Sequence, residues 1–362
     1  MRVVICGGGV IGASIAYFLA RRGIAVTVVE RTGIACAASG KAGGFLARDW
    51  NDGTPLEQLA RRSFALHAQL ADELGGDWGY RRLTTYGGFS GFGGGRNESG
   101  LGWLSDEVTV SRPLGSPETT AQVHPALFTA AMMRAAEAHG AELRIGTVAE
   151  LVRNGDAVTG AVVDGETIEA DAVVIAMGPW SILAAQWLPL PPVFGLKGHS
   201  LVFDTGGAVP AEALFLECRE RGGAAQTPEV FPRPDGTTYV CAISSEALLP
   251  LDPAAVEPDP GAIERLHAIC RDISPTLATA KVLAAQACHR PVARDGLPLL
   301  GAVPGAAGAY IATGHSVWGI LNAPATGEAM AELIAERSST LDLSPFDPGR
   351  MRPLDPKRLQ MG

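Results

Sequence analysis

The run RVVICGGGVIGASIAYFLARRGIAVTVVER, Arg2 to Arg31, constrains the fold more than any other stretch. Val3 to Cys6 is a short continuous apolar segment, as expected of a buried parallel strand. Gly7-x-Gly9-x-x-Gly12 follows at once, then Ile11, Ile15, Phe18 and Leu19 recur at helical spacing. Gly23 stops the helix, and Ala25 to Val29 is a second buried strand ending at Glu30. In that order the first glycine permits the turn, the second admits a pyrophosphate and the third lets helix pack on strand. Glu30 stands near the distance, roughly 20 residues on, at which an acid meets an adenosine ribose. Strand, glycines, helix, strand and acid together predict a dinucleotide site. The unit alone does not separate NAD from FAD.

A second stretch, GHSVWGILNAPATGEAMAELIA, Gly314 to Ala335, loads small and turn-forming residues ahead of an amphipathic run. Gly314 and Gly319 allow close approach of backbone to a ligand. A helix start offers free N–H groups and the positive end of its dipole to negative charge. Pro324 is expected in the first turn, where its missing N–H is not needed.

At 362 residues the chain exceeds what one hydrophobic core usually serves, so two domains are expected. The net charge of -9 argues against nucleic acid or an anionic membrane as partner. The six cysteines contain no C-x-x-C pair and fit no zinc spacing, so no metal site is expected. They read as reduced thiols of a cytoplasmic protein. The apolar start is interrupted by Gly7, Gly8 and Gly9 and does not read as a signal peptide. No window is long and apolar enough for a transmembrane segment.

Between the two stretches, Ala35 to Ala47 reads as a small-residue loop without strand or helix period. Leu59, Leu66, Leu70 and Leu74 mark a helix, and Tyr80 to Ser116 is Gly-rich and aromatic with short strand-like pieces. Pro125 to His139 reads as a helix stopped by Gly140, Leu143 to Val148 as a strand, and Val158 to Ile168 as a hairpin. Asp171 to Gly178 is another buried strand, Val193 to Ile243 is β-rich, and Ile263, Leu266, Cys270 and Ile273 mark a helix. Leu249 to Pro260 is a proline-rich connection, and Tyr310 to Thr313 is a strand.

Four blocks, Val3–Glu30, Ala38–Phe45, Asp171–Ser181 and Arg290–Leu333, carry a resemblance to the D-amino acid oxidase superfamily of FAD-dependent amine and amino acid oxidoreductases. That superfamily includes glycine and sarcosine oxidases. The resemblance spans the chain and is nearest a less characterised branch with Trp after the Gly-His motif. It implies an α/β fold: a discontinuous Rossmann-like (GR2-type) FAD-binding domain with an inserted antiparallel β-rich substrate domain. The expected division is 1–80, 139–195 and 285–362 for the first, 81–138 and 196–284 for the second.

The resemblance further implies non-covalent FAD. Gly7, Gly9 and Gly12, with Val10 and Ile11, would meet the pyrophosphate, and Glu30, followed by Arg31, the ribose. Ser39, Gly40 and Lys41 would lie along the phosphate and ribityl path, with Ala42 and Gly43 also in contact. Val148 would present its backbone to adenine, and Gly178 and Trp180 would flank the cofactor. Gly314, His315, Gly319, Ile320 and Leu321 would lie near the isoalloxazine.

Flavin oxidation of an amine needs an orienting charge rather than a catalytic triad. The resemblance gives that role to Arg290, whose guanidinium suits a carboxylate, the alternative being an ion pair near Arg294 and Asp295. His315 would tune the flavin, bond the substrate or fix the loop, and Lys197 reads as structural. Arg233 reads as a surface charge on a hairpin turning at Asp235-Gly236. Trp318 replaces a basic residue of glycine and sarcosine oxidases, as an aromatic cover for an apolar substrate group or as core packing. Thr237 to Leu249 lacks the lysine that activates oxygen in sarcosine oxidase, leaving oxygen or another acceptor open. The leading expectation is an oxidoreductase of amino acids or secondary amines. A 2-hydroxy acid dehydrogenase and a non-catalytic flavin-bound assembly protein are the alternatives.

Overall fold

The computed structural model describes residues 1–91, 100–220 and 225–360. Residues 92–99 of the Gly-rich segment and 221–224 of the β-rich segment lie outside the described residues.

A six-stranded sheet runs Leu299–Ala302, Ala309–Thr313, Ala172–Ile175, Arg2–Cys6, Ala25–Glu30, Glu142–Ile145. All its pairings are parallel except the first. Its central strand reads as an unbroken apolar run because both faces are covered, Val3, Ile5 and Val4, Cys6 entering two different cores. The first core holds helix α1 (Val10–Ala20), packed between sheet and neighbouring helices and buried nearly all round. Close approach explains its small residues. A Cβ on Gly327 of the C-terminal helix would lie 2.7 Å from the Ser14 backbone carbon.

The Ala35–Ala47 stretch is more ordered than its sequence indicates. It holds a one-turn helix, α2 (Ala38–Lys41), and a strand, Phe45–Ala47, that pairs with Thr120–Gln122. Helix α3 (Glu57–Leu74) follows, buried through Leu59, Phe64, Leu66 and Leu70. Helix α4 (Pro125–Ala138) packs on α1, so Phe128 and Met132 share a core with Ile15 and Leu19 although the sequence grouped them with the substrate segment. The strand expected through Val148 stops at Ile145. The chain turns at Gly146 and Thr147, whose N–H donates to Asp164 Oδ1 at 3.0 Å, and Val148 begins a separate three-stranded antiparallel sheet.

The eight-stranded sheet runs Lys281–Ala293, Val193–Asp204, Thr237–Ser245, Glu229–Pro232, Glu212–Arg219, Thr84–Ser90, Val108–Gly115, with Ala225–Gln226 paired to Glu212–Arg219. It is antiparallel except where Glu212–Arg219 runs parallel to Thr84–Ser90. One face packs on α5 (Ala262–Ile273) and α6 (Pro275–Thr279) through Leu266, Ile269, Cys270 and Leu277. Helix α7 (Gly319–Glu336) completes the chain's core. Among the described residues no helix is long and apolar enough to cross a membrane.

Candidate active site

One long cleft begins where the carboxyl ends of the parallel strands open, at Cys6, Glu30, Ala176 and Thr313, and runs to the eight-stranded sheet at Tyr239, Cys241 and Arg290. Strand ends of an open parallel sheet are where such folds bind ligands.

The glycine loop shapes the cleft by backbone alone. Gly7 has φ +116°, and a Cβ there would lie 2.4 Å from the Ala176 carbonyl oxygen. A Cβ on Gly12 would lie 2.0 Å from the Gly7 carbonyl oxygen. Gly12 therefore stands behind the loop, while Gly7, Gly9, Val10 and Ile11 line the cleft. The N-terminus of α1 opens into it, and Ser39 Oγ accepts from the Val10 N–H at 2.9 Å. Glu30 is buried and holds the turn: its carboxylate accepts from the N–H groups of Gly8 at 2.7 Å and Thr32 at 2.9 Å. Arg31 ties down the proline-rich connection by donating to the Leu251 carbonyl at 2.9 Å, and Trp180 Nε1 does the same to Pro250 at 2.7 Å. Ala42, Gly43, Val148, Gly178, Gly319 and Ile320 also line the cleft.

Gly40, Lys41, Gly314 and Leu321 stand outside the lining. Gly40 is needed for packing, since a Cβ would lie 2.1 Å from the Ala35 carbonyl oxygen. Gly314 turns the chain at φ +83°, and the Val292 and His315 backbones meet in an antiparallel bridge.

His315 lines the cleft, almost fully buried, with Nε2 3.0 Å from Thr326 Oγ1 on α7. Burial lowers its pKa to about 3, so the ring is neutral. Pro324 is not in the first turn. Helix α7 begins at Gly319, placing the proline inside it and denying the Ile320 carbonyl its helical donor. His67 of α3 supplies that donor, with Nε2 3.0 Å from Ile320 O and 3.2 Å from Leu321 O. One turn earlier on α3, Ser63 Oγ accepts from the Ala325 N–H at 3.0 Å. Arg62 grips Glu328 through two bonds of 2.7 Å.

Arg290 is not in the structural ion pair that the sequence left open. Asp295 is bonded instead by Arg350, at 2.7 and 3.1 Å. Arg290 lies over Gly198, where a Cβ would come within 2.9 Å of Nη2, and its Nη1 donates to Ser244 Oγ at 3.0 Å. Lys197 is paired with Asp259, which also accepts from Ser245 Oγ. Arg233 is buried rather than a surface charge. It donates to the Ala42 carbonyl at 3.2 Å and lies 5.4 Å from the Tyr239 ring centroid.

Trp318 is half-buried and outside the cleft lining, meeting Trp50 edge-on at 6.4 Å. Trp50 continues an aromatic cluster through Phe45, Phe215 and Phe231 to Tyr239. The sequence reading missed this cluster, and missed Glu229, a carboxylate lining the cleft. The only signal for Glu229 was an acid beginning an apolar strand.

Parallel-sheet nucleotide site, glycine cradle and an adjoining β-walled chamber together define a two-domain flavoenzyme architecture. The family model of FAD dependent oxidoreductases, DAO, matches residues 2–333, and the chain belongs to that family. It is 32% identical to a Schizosaccharomyces pombe protein named as an oxidoreductase, over 94% of this chain and 96% of that one. It is 29% identical to a glycine oxidase of Geobacillus kaustophilus, over 95% of each. The crystal structure of glycine oxidase from Geobacillus kaustophilus matches with a TM-score of 0.82 at 26% identity, over 97% of this chain and 99% of that one. The chain is accordingly an enzyme, an FAD-dependent oxidoreductase related to amino acid and amine oxidases.

Proposed function

We propose that this enzyme oxidises a small amino acid or carboxylate-bearing secondary amine, using FAD held without a covalent bond. One observation carries the reading: Arg290 presents its guanidinium in the cleft and, among the described residues, has only a neutral hydroxyl as side-chain hydrogen-bond partner. A guanidinium offers paired donors to a carboxylate. FAD, when bound, supplies the acceptor for the hydride of the substrate's α-carbon.

The residues fit that cofactor. Gly7, Gly9 and the first turn of α1 leave room for a pyrophosphate, and Glu30 fixes the turn through two backbone N–H groups. Gly178, Trp180 and Val148 bound the same cleft. Neutral His315, anchored to Thr326, and the start of α7 line it as well. Cys288 lines the cleft as a thiol whose pKa burial raises, which disfavours the thiolate needed for attachment. The substrate's carboxylate is oriented by Arg290, and Tyr239, at the end of the aromatic cluster, lines the same cleft. All six cysteines are free, in keeping with a reducing, cytoplasmic setting.

The test is an anaerobic screen of the purified yellow protein against amino acids, secondary amines and 2-hydroxy acids, following loss of flavin colour. Bleaching by a carboxylate-bearing amine is expected. Bleaching by hydroxy acids alone, or by none, contradicts the reading.

A further inference from the structure

Glu229 has no role in the reading above, yet it faces the same chamber as Arg290. The two residues lie on the first and fourth strands of the sheet order, with Val193–Asp204 and Thr237–Ser245 between them. Their strands lie three inter-strand steps apart, about 14 Å at about 4.8 Å each, and the register sets Arg290 four residues along its strand from Gln286, the position level with Glu229. Arg290 reaches inward over Gly198, where a side chain would collide with it, and touches Ser244 on the third strand. Glu229 reaches inward from the other side, directly across from Cys241.

The carboxylate is poorly satisfied where it stands. Among the described residues its one hydrogen-bond partner is the Cys241 thiol, at 3.5 Å, and a thiol is a weak donor. Partly withdrawn from solvent, it makes no ion pair among the described residues, although a carboxylate so placed ordinarily has one. Burial pushes its pKa up, opposed by the Arg290 charge. Burial likewise raises the pKa of Tyr239, Cys241 and Cys288, leaving those neighbours neutral. Lys41 adds a charge felt by Cys288 from α2, outside the lining. The chamber thus holds a guanidinium and a carboxyl group separated rather than joined, a layout that matches the two ends of an amino acid.

We propose that Glu229 binds the substrate's ammonium group opposite the carboxylate held by Arg290 and accepts one of its protons before oxidation. This rests on the role given to Arg290 above. An N–H bond of the ammonium breaks and an O–H bond forms on Glu229. The nitrogen lone pair so freed is then available to form the C=N bond, and FAD, when bound, would supply the two-electron acceptor for the α-C–H hydrogen. Glu229 would be a catalytic residue, and the assignment favours an amino acid over a hydroxy acid, which brings no cation to the site.

The experiment measures anaerobic binding to oxidised holoenzyme by calorimetry, with matched ligands. 2-Aminoisobutyrate, isobutyrate and tert-butylamine form one set; α-methylphenylalanine, 3-phenylpropionate and α,α-dimethylphenethylamine form the other, the amines having no α-hydrogen to give to the flavin. Glu229→Gln should weaken the amino acid and amine that wild type binds by about thirtyfold or more, as for loss of a desolvated charge partner. It should leave the bare carboxylates unchanged or tighter. Arg290→Met should instead weaken amino acids and bare carboxylates and spare the amines. If Glu229→Gln weakens carboxylates as much as amines, or weakens neither, the proposal is overturned. Wild type that binds carboxylates but no amine or amino acid overturns it too. If only the Arg290→Met pattern fails, the carboxylate reading falls while the amine arm still decides Glu229.

Discussion

His67 on α3 donates to the carbonyl of Ile320 at 3.0 Å, the carbonyl that Pro324 leaves without a helical partner. Both Nε2 neighbours of His67 are carbonyl oxygens, so Nε2 carries the proton and Nδ1, buried without a partner, does not. The proline breaks the α7 ladder where Gly319 and Ile320 line the cleft, and the histidine repairs it from another helix. His67→Phe should cost about 1–3 kcal/mol, the penalty of an unpaired buried group. Urea denaturation should show that loss together with earlier release of flavin, and His67→Gln, which retains a donor, should recover part of both. Equal midpoints for wild type and His67→Phe would remove the repair role.

Acid should destabilise the fold through the same ring. Burial lowers the pKa of His67 to about 4 and of His315 to about 3. An unfolded histidine titrates near 6.5, so the unfolded state binds the proton first as pH falls. Stability is therefore complete above about pH 6.5 and declines toward pH 4 and then 3, by at most about 1.4 kcal/mol per unit for each ring. Denaturation midpoints across pH 4 to 7 should be less pH-dependent in His67→Gln than in wild type. An unchanged slope would place the acid sensitivity in other groups.

Gly12→Ala should empty the nucleotide site without entering it. The new Cβ would sit 2.0 Å from the Gly7 carbonyl oxygen, so the glycine loop must move. Flavin per chain after gel filtration should fall well below wild type while circular dichroism still reports a folded chain. Full loading of this variant would contradict the cradle described for Gly7 and Gly9.

The strand Thr237–Ser245 gives Tyr239 and Cys241 to the cleft and no cation. Reduced enzyme should therefore be reoxidised more slowly by air-saturated buffer than by an acceptor dye in stopped flow. Faster reaction with oxygen would mean that a cation on another element supplies the charge, Arg290 in the cleft or Lys41 of α2 outside its lining.

The nucleotide loop was legible because its determinants are local: strand, glycines and helix lie within Arg2 to Glu30. Arg290 was legible by its place before Pro291, though its freedom from Asp295 depends on Arg350, a residue 55 positions from that acid. The His67–Ile320 bond spans 253 positions and no periodicity announces it. Helix α2 is one turn long, too short for a 3.6-residue period to register. Arg233 followed a strand and preceded a turn, a pattern that normally means solvent. Its burial arises because the Ala42 carbonyl and the Tyr239 ring come to it from distant segments. Glu229 went unnoticed for the same reason, since only the folded sheet sets it across from Cys241 and within the influence of the Arg290 charge.

The carboxylate clamp is the central claim, and anaerobic flavin reduction by the best amino acid substrate tests it most directly. Arg290→Met should keep its FAD yet need a far higher substrate concentration for half-maximal reduction, by about 2–5 kcal/mol in binding. Reduction of Arg290→Met with the concentration dependence of wild type, or a best substrate with no carboxylate, would contradict the account.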